Sequence, residues 1–306
     1  MKSPGPLLLV FLVPLLGACT AAPVTDRSAQ ISGAEQSAPS HSEPSRAGIS
    51  QSEPVADPQS GDDGAADDLG AQDSPEDQID LAKITARYEN KQPEQWGTDV
   101  DGVISSINSG SVVLTLDACG GPGGDGYDDV LIEGLIDRDV PATLFLNQRW
   151  IESHPDLTAE LAANPLFEIA NHGTEHVPLS VSGLSAYEIP GTASAPDVID
   201  EVWGNHQTIE EITGQAPRYF RSGTAHYDEV SVAIVEELGE RVAGFSVNGD
   251  GGATLSAAEV QAEVAAAQPG DIILAHMNQP AGDTAEGLLA GVDDLLEQGV
   301  TFSLLD

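Results

Sequence analysis

Positive charge is scarce in this 306-residue chain: 11 Lys and Arg stand against 50 Asp and Glu, a formal net charge of −39. A chain so poor in cations has nothing with which to neutralise a phosphate backbone, so nucleic acid is excluded as a partner. Binding of acidic polymers through surface charge is excluded for the same reason. The acidity itself reads as solubility or as adaptation to high salt. Cysteine is nearly absent, with only Cys19 and Cys119. No structural disulfide is expected, and the fold must stand on its core. A long apolar run is lacking at the start of the chain: residues 7–16 are too few to span a bilayer. No internal repeat is evident.

What that start does contain is a targeting pattern. Lys2 precedes the short apolar core, which ends in Leu16-Gly17-Ala18-Cys19. Small residues before a cysteine resemble a bacterial lipobox. The expectation is a lipoprotein signal peptide over residues 1–18, cleavage before Cys19, and lipid on its thiol and new amino terminus. A plain secretory signal, cleaved near Ala18 or Ala21, is the alternative. Either way the protein is exported, anchored to the outer face of the cell membrane or secreted. Residues 19–90 are rich in Ser, Pro, Gly, Gln, Asp and Ala and have few large apolar side chains. Such a segment buries too little surface to offset its ordering entropy and reads as a disordered tether, with a short helix possible over 79–88. A long tether suits a monomer.

Over residues 91–306, and from about Gly110 onward, the texture changes. Strand candidates fall at residues 112–118, 142–147, 167–170, 219–221, 242–247, 272–276 and 300–304. Helical candidates lie between them at 127–137, 157–163, 198–213, 228–238, 257–267 and 284–298. Repeated strand–helix alternation implies an α/β fold with a parallel sheet. About seven units fit an open doubly wound sheet or a (β/α) barrel, and reactive residues at strand C-terminal ends are what a barrel active site requires.

Those strand ends carry the chemistry. The first delivers Asp117 and a turn rich in glycine. The third delivers His172 and His176, in Asn171-His172-Gly173-Thr174-Glu175-His176. The fourth delivers Arg221, followed by His226 and Tyr227; the fifth Asn248 and Asp250; the sixth His276. Two imidazoles four residues apart can share an ion if the backbone turns helically. A carboxylate, further imidazole and guanidinium complete a set suited to metal-assisted hydrolysis.

In order along the chain, Leu-Thr-Leu-Asp117-Ala118-Cys119-Gly-Gly, the His172–His176 motif, Arg221-Ser222-Gly223-Thr224-Ala225 and Ala275-His276 resemble the motifs of polysaccharide deacetylases. This is the NodB-homology domain of carbohydrate esterase family four, and the resemblance covers roughly residues 102–306. It implies a distorted (β/α) barrel and removal of acetyl groups from N- or O-acetylated glycans. It makes Asp117 the general base, His276 the general acid, Arg221 the residue orienting Asp117, and His172 and His176 ligands of a divalent metal, with zinc favoured. Asp250 lies near the family's acidic partner of the general acid. Thr224 stands where a tyrosine amide completes the oxyanion hole, with Tyr227 further on.

There are departures. The family's second aspartate, a metal ligand, is here Ala118. On an extended strand Cys119 would face the same side as Asp117 and could replace that ligand; a small buried residue is the plainer reading. The wording Asp-Ala-Cys-Gly-Gly points to an atypical branch. A non-catalytic glycan-binding relative, and a hydrolase of another amide or ester, remain open. Asp125, Asp128 and Asp129 read as loop and helix N-terminal acids, Trp150 and Trp203 as packing residues, and His154 and His206 as solvent-facing. The loop over 178–192, with Tyr187 inside it, either lines a sugar groove or simply connects.

Overall fold

A computed structural model describes residues 79–306. The leader, the lipidation position Cys19 and the tether up to residue 78 lie outside the described residues. The first elements are α1 (Leu81–Tyr88), β1 (Val112–Ala118), α2 (Asp129–Asp137), β2 (Ala142–Leu146), α3 (Gln148–Ser153), α4 (Pro155–Ala163) and β3 (Phe167–Asn171). A small hairpin of β4 (Ser185–Ala186) and β5 (Ile189–Pro190) follows, then α5 (Ala195–Thr213), β6 (Tyr219–Phe220), α6 (Glu229–Glu237) and β7 (Arg241–Val242). The chain ends with β8 (Val247–Asn248), α7 (Ala257–Ala265), β9 (Ile272–His276), α8 (Thr284–Glu297) and β10 (Phe302–Ser303).

The main sheet runs β7-β6-β3-β2-β1-β9-β8, with β10 paired to the start of β1, and every pairing is parallel. It curls into the half-barrel of a NodB-like (β/α) fold, with helices outside. β7 and β8 stand at the two ends of the strand order yet are separated by only four residues in sequence. The chain therefore crosses the open seam itself. Residues 104–107 reinforce that crossing: Ile104 pairs with Ala243, and Ile107 donates to the carbonyl of Gly270.

Strand β1 shows why the sheet curls around a reactive interior. All seven of its residues are buried, so hydropathy alone does not separate its faces. Alternation does. Val112, Leu114, Leu116 and Ala118 join the large cluster under the helices, while Val113 joins a smaller one with Phe145, Ala170, Tyr219, Ala243, Ile272 and Leu305. Thr115 and Asp117 share the inward face of Val113. Each fully buried Val or Leu on the outer face stabilises the fold by about 1.5–3 kcal/mol.

Several local expectations change. The strand foreseen over 242–247 is two short strands, because the chain turns there from one edge of the sheet to the other. The segment read as tether ends in α1, which packs Ile84 into a cluster with residues of α5 and α6, so the folded part reaches back before residue 91. His206 is not solvent-facing: it is buried, with Nδ1 2.8 Å from Oε1 of Glu240. Trp150 is buried and its indole N–H donates to the carbonyl of Gly126 at 2.8 Å. Asp128 caps α2 by accepting from the amide of Leu131.

Candidate active site

Asp117 is 3% exposed at the end of β1, opposite His276 at the end of β9. One carboxylate oxygen accepts from Nη1 of Arg221 at 2.7 Å, and the other lies 3.6 Å from Nε2 of His172. Burial raises the Asp117 carboxyl, but the Arg221 cation, His172 and His276 outweigh it and hold the group below its ordinary range. Arg221 is fully buried and spends its other donors on Thr115 and on the carbonyls of Ala243 and Gly244, with its guanidinium 4.1 Å from the centre of the Phe145 ring. Such a cation is fixed in one orientation and fixes its carboxylate in turn.

His172 Nδ1 lies 2.8 Å from the carbonyl of Arg221. That contact requires the proton on Nδ1 and turns Nε2 toward the site; burial lowers this imidazole, but Asp117 and Cys119 raise it above its ordinary value, so an ion binding at Nε2 would displace a proton. Nε2 of His176 is buried and has no hydrogen-bond partner. The sulfur of Cys119 is 4.0 Å from Nε2 of His172, and the ligand atoms of Cys119, His172 and His176 all lie within 4.8 Å of one another. Burial raises the Cys119 thiol, yet the imidazoles of His172, His176 and His276 bring it well below its ordinary value. An orphaned imidazole nitrogen, a second turned toward the site and a thiol biased to thiolate form a set that fits a zinc-like divalent ion. Ala118 belongs to the outward core cluster.

The histidine motif is not helical. It is a loop in which Gly173 (φ 77°) and His176 (φ 62°) are left-handed. The pair converges because the loop folds over, bringing the ring centroids 4.8 Å apart nearly edge to face.

Nδ1 of His276 lies 3.0 Å from Asp250, whose carboxylate also accepts the His276 amide at 2.8 Å and the Thr284 hydroxyl at 3.2 Å. Burial lowers the His276 imidazole, but the Asp250 bond, with Cys119 and Asp117, lifts it well above its ordinary value. Asp117 and His276 open onto a cavity of about 310 Å³ that Thr224, Tyr187 and Asn248 also line. Hollows of about 360 and 700 Å³ sit at the N-terminal ends of the strands, around Glu168, Arg218 and Ser303, and gather no comparable reactive groups.

Residues 106–243 match the polysaccharide deacetylase family model. The chain is 29% identical over 175 residues to the chitooligosaccharide deacetylase of Bradyrhizobium, covering 56% of this chain and 73% of that protein. It is 25% identical over 190 residues to an uncharacterized 30.6 kDa protein of Geobacillus stearothermophilus, covering 60% of this chain and 65%, just under two thirds, of that protein. In fold it is similar to a CE4 family pseudoenzyme from Bacillus anthracis (TM-score 0.57, 23% identity, covering 68% of this chain and 69% of that one). A family 4 carbohydrate esterase from Streptomyces lividans is also similar (TM-score 0.53, 20% identity, 65% of this chain and 94% of that one). Together these show the fold of the family 4 carbohydrate esterases and a resemblance to the polysaccharide deacetylase model over residues 106–243.

Within this domain, the remaining sequence candidates fall at different depths. Thr224 lines the cavity, and its hydroxyl is buried without a partner. Tyr227 does not reach the cavity: it is buried in the core, where its hydroxyl accepts the amide of Ser222 at 3.0 Å. Gly223 is required sterically, since a Cβ there would stand 2.4 Å from the backbone of His176.

Two supporting residues were missed. Asn147, at the end of β2, donates to the carbonyls of His172 and Gly173 at 3.0 and 2.7 Å. Glu201, buried on α5, accepts from the Thr174 hydroxyl (2.6 Å) and from the amides of Glu175 (2.9 Å), His176 (3.1 Å) and Val177 (3.4 Å). One carboxylate thus gathers the whole loop that carries His176. The available signal was polar residues at a core period: Glu201, Asn205 and His206 are buried among Val198, Val202 and Ile209 on the same helix. Glu201→Ala is expected to weaken metal affinity about 10–100-fold, with Glu201→Gln less harmful. Titration of the metal-free protein with zinc, in competition with a chelator, checks this.

Proposed function

We propose that the protein is a metal-dependent hydrolase that removes acetyl groups from an N- or O-acetylated polysaccharide of the cell envelope or its surroundings. Export by the 1–18 leader and a lipid on Cys19, or secretion, fits such a substrate. The observation that carries the reading is the pairing of Asp117 and His276 across adjacent strands, one held ionised by Arg221 and the other held protonated by Asp250. Environments that push two titratable groups apart in this way assign a base and an acid.

When bound by Cys119, His172 and His176, a divalent ion supplies Lewis acidity at the acetyl carbonyl. Asp117 takes a proton from the attacking water. The Thr224 amide and its unpartnered hydroxyl are donors available to the oxygen that gains charge. His276 gives its proton to the departing nitrogen or oxygen as the carbon–heteroatom bond breaks, leaving acetate and an amine or alcohol. Acetate release from a panel of N-acetylated and O-acetylated oligosaccharides and non-sugar acetamides tests the reading; no release from any sugar substrate by the metal-loaded protein would sink it.

The pH profile of kcat/KM follows from the same pair. Activity requires ionised Asp117 and protonated His276. The acid limb therefore falls below the ordinary carboxylate range, and the alkaline limb well above the ordinary imidazole value of about 6.5. Asp250→Asn removes the charge that favours imidazolium. It should bring the alkaline limb down toward that ordinary value and leave the acid limb in place.

A further inference from the structure

Tyr187 is 75% exposed at the tip of the β4–β5 hairpin and also lines the cavity of Asp117 and His276. The tip is a two-residue turn closed by the Ala186–Ile189 pair, with Tyr187 at φ 52° and Glu188 at φ 64°. Two consecutive left-handed residues normally call for Asn-Gly, and a bulky aromatic is a poor occupant. The hairpin is nonetheless well fastened: Thr192 bonds both the amide and the carbonyl of Ser180, and Gly191 donates to Leu184. A firmly held turn that keeps an aromatic ring strained and in solvent is an observation to explain.

The ring does not stand alone. Its centroid is 5.2 Å from that of His226, edge to face, and the His226 ring is 5.9 Å from that of Trp96. Trp96 comes from a segment before the residues matched by the family model. That segment is stitched onto the loop after β6: Glu94 and Gln95 donate their amides to the Glu229 carboxylate, and Gly97 and Tyr227 exchange backbone bonds. Three distant segments thus bring three rings together, tilted 84° and 45° to one another, and Tyr187 is the ring among them that lines the cavity.

We infer that the exposed Tyr187 ring, braced by His226 with Trp96 beyond it, is the stacking face of a subsite for a pyranose ring of a glycan chain, next to the unit whose acetyl group enters the cavity. The C–H face of a pyranose is the apolar, flat partner that exposed aromatic rings accept. This rests on the deacetylase reading for the identity of the ligand, but it concerns binding and not turnover.

The test uses the full chain carrying Tyr187→Ala or Trp96→Ala, with Tyr187→Phe and Trp96→Phe as conservative partners. Binding of a β-linked N-acetylglucosamine pentamer and of an acetylated xylose pentamer is measured by calorimetry in an Asp117→Asn background. Hydrolysis of nitrophenyl acetate is measured with Asp117 intact. We expect each Ala variant to weaken at least one pentamer roughly three- to tenfold, the Phe variants to retain affinity, and nitrophenyl acetate hydrolysis to stay unchanged in the Trp96 variants, whose residue lies outside the cavity lining. Equal pentamer affinity in parent and Ala variants, no binding of either pentamer by the parent, or parallel losses on pentamer and ester in Trp96→Ala would each overturn the subsite. Pentamer binding that depends on Tyr187 in a protein without hydrolytic activity would uphold the subsite and remove the hydrolase reading.

Discussion

Under the proposed function, Asp117→Asn is expected to lower kcat/KM for acetyl release by about 10²–10⁴-fold while the metal stays bound. The amide can still accept from Nη1 of Arg221, so the geometry is retained, but it cannot take a proton. The substitution also leaves the Arg221 cation without its counter-charge in a fully buried position. A loss of stability follows, up to about 3–5 kcal/mol where nothing else compensates. Here the carbonyls of Ala243 and Gly244 and the Phe145 ring soften it. The parent carries a matching pH signature. Because the folded Asp117 titrates below its unfolded value, its contribution is complete above the ordinary carboxylate pKa and is lost as pH falls through the folded one. The variant should lack that part of acid destabilisation. Turnover at the parent rate would end the assignment of Asp117 as base, and loss of metal from the variant would make it a ligand instead.

Cys119→Ala and His172→Ala each reduce zinc affinity by more than about 100-fold, read as metal content after dialysis against a weak chelator. The Cys119 result separates two readings of the first motif. If Cys119 is merely a small buried residue, its removal leaves metal content intact. Supplying an aspartate at the neighbouring position will not compensate: Ala118 is fully buried in the cluster with Leu114, Leu116 and Leu146, on the outward face of β1. Ala118→Asp is expected to destabilise by several kcal/mol, since a carboxyl there has no partner, and to leave the metal affinity of a Cys119→Ala protein where it was. Recovery of zinc binding in that double variant would show that β1 rotates or bulges at its end.

The architecture was legible because strand–helix alternation is written locally: β1 and β9 fall on the predicted residues, and the helices 257–265 and 284–297 lie within a few residues of their predicted ends. Inward and outward faces of β1 followed from alternation around Asp117, which is also what pointed to Cys119 over Ala118. The seam was not read, although Gly244 interrupts residues 242–247 and a glycine inside a strand pattern marks a bulge or a close backbone approach. The shape of the histidine loop was not legible either. Helical spacing suggested one turn of helix, whereas the loop is shaped by Glu201 and Asn147, which lie 25 or more residues away from its two histidines in sequence. Glu240 and His206 escaped notice for a similar reason: an acid and an imidazole on separate elements look solvated until the fold buries them together.

Arg221 has a further consequence through the carbonyls it binds. Ala243 and Gly244 belong to the four-residue crossing between the two ends of the strand order. The cation that orders the Asp117 carboxylate is therefore also the clasp of the barrel. Any breathing of the seam that frees those carbonyls releases the guanidinium from one side and lets Asp117 drift from the other. The placement of Asp117 and the closure of the wall are thus linked, so under the proposed function amide exchange in the crossing and loss of turnover should share a single temperature dependence.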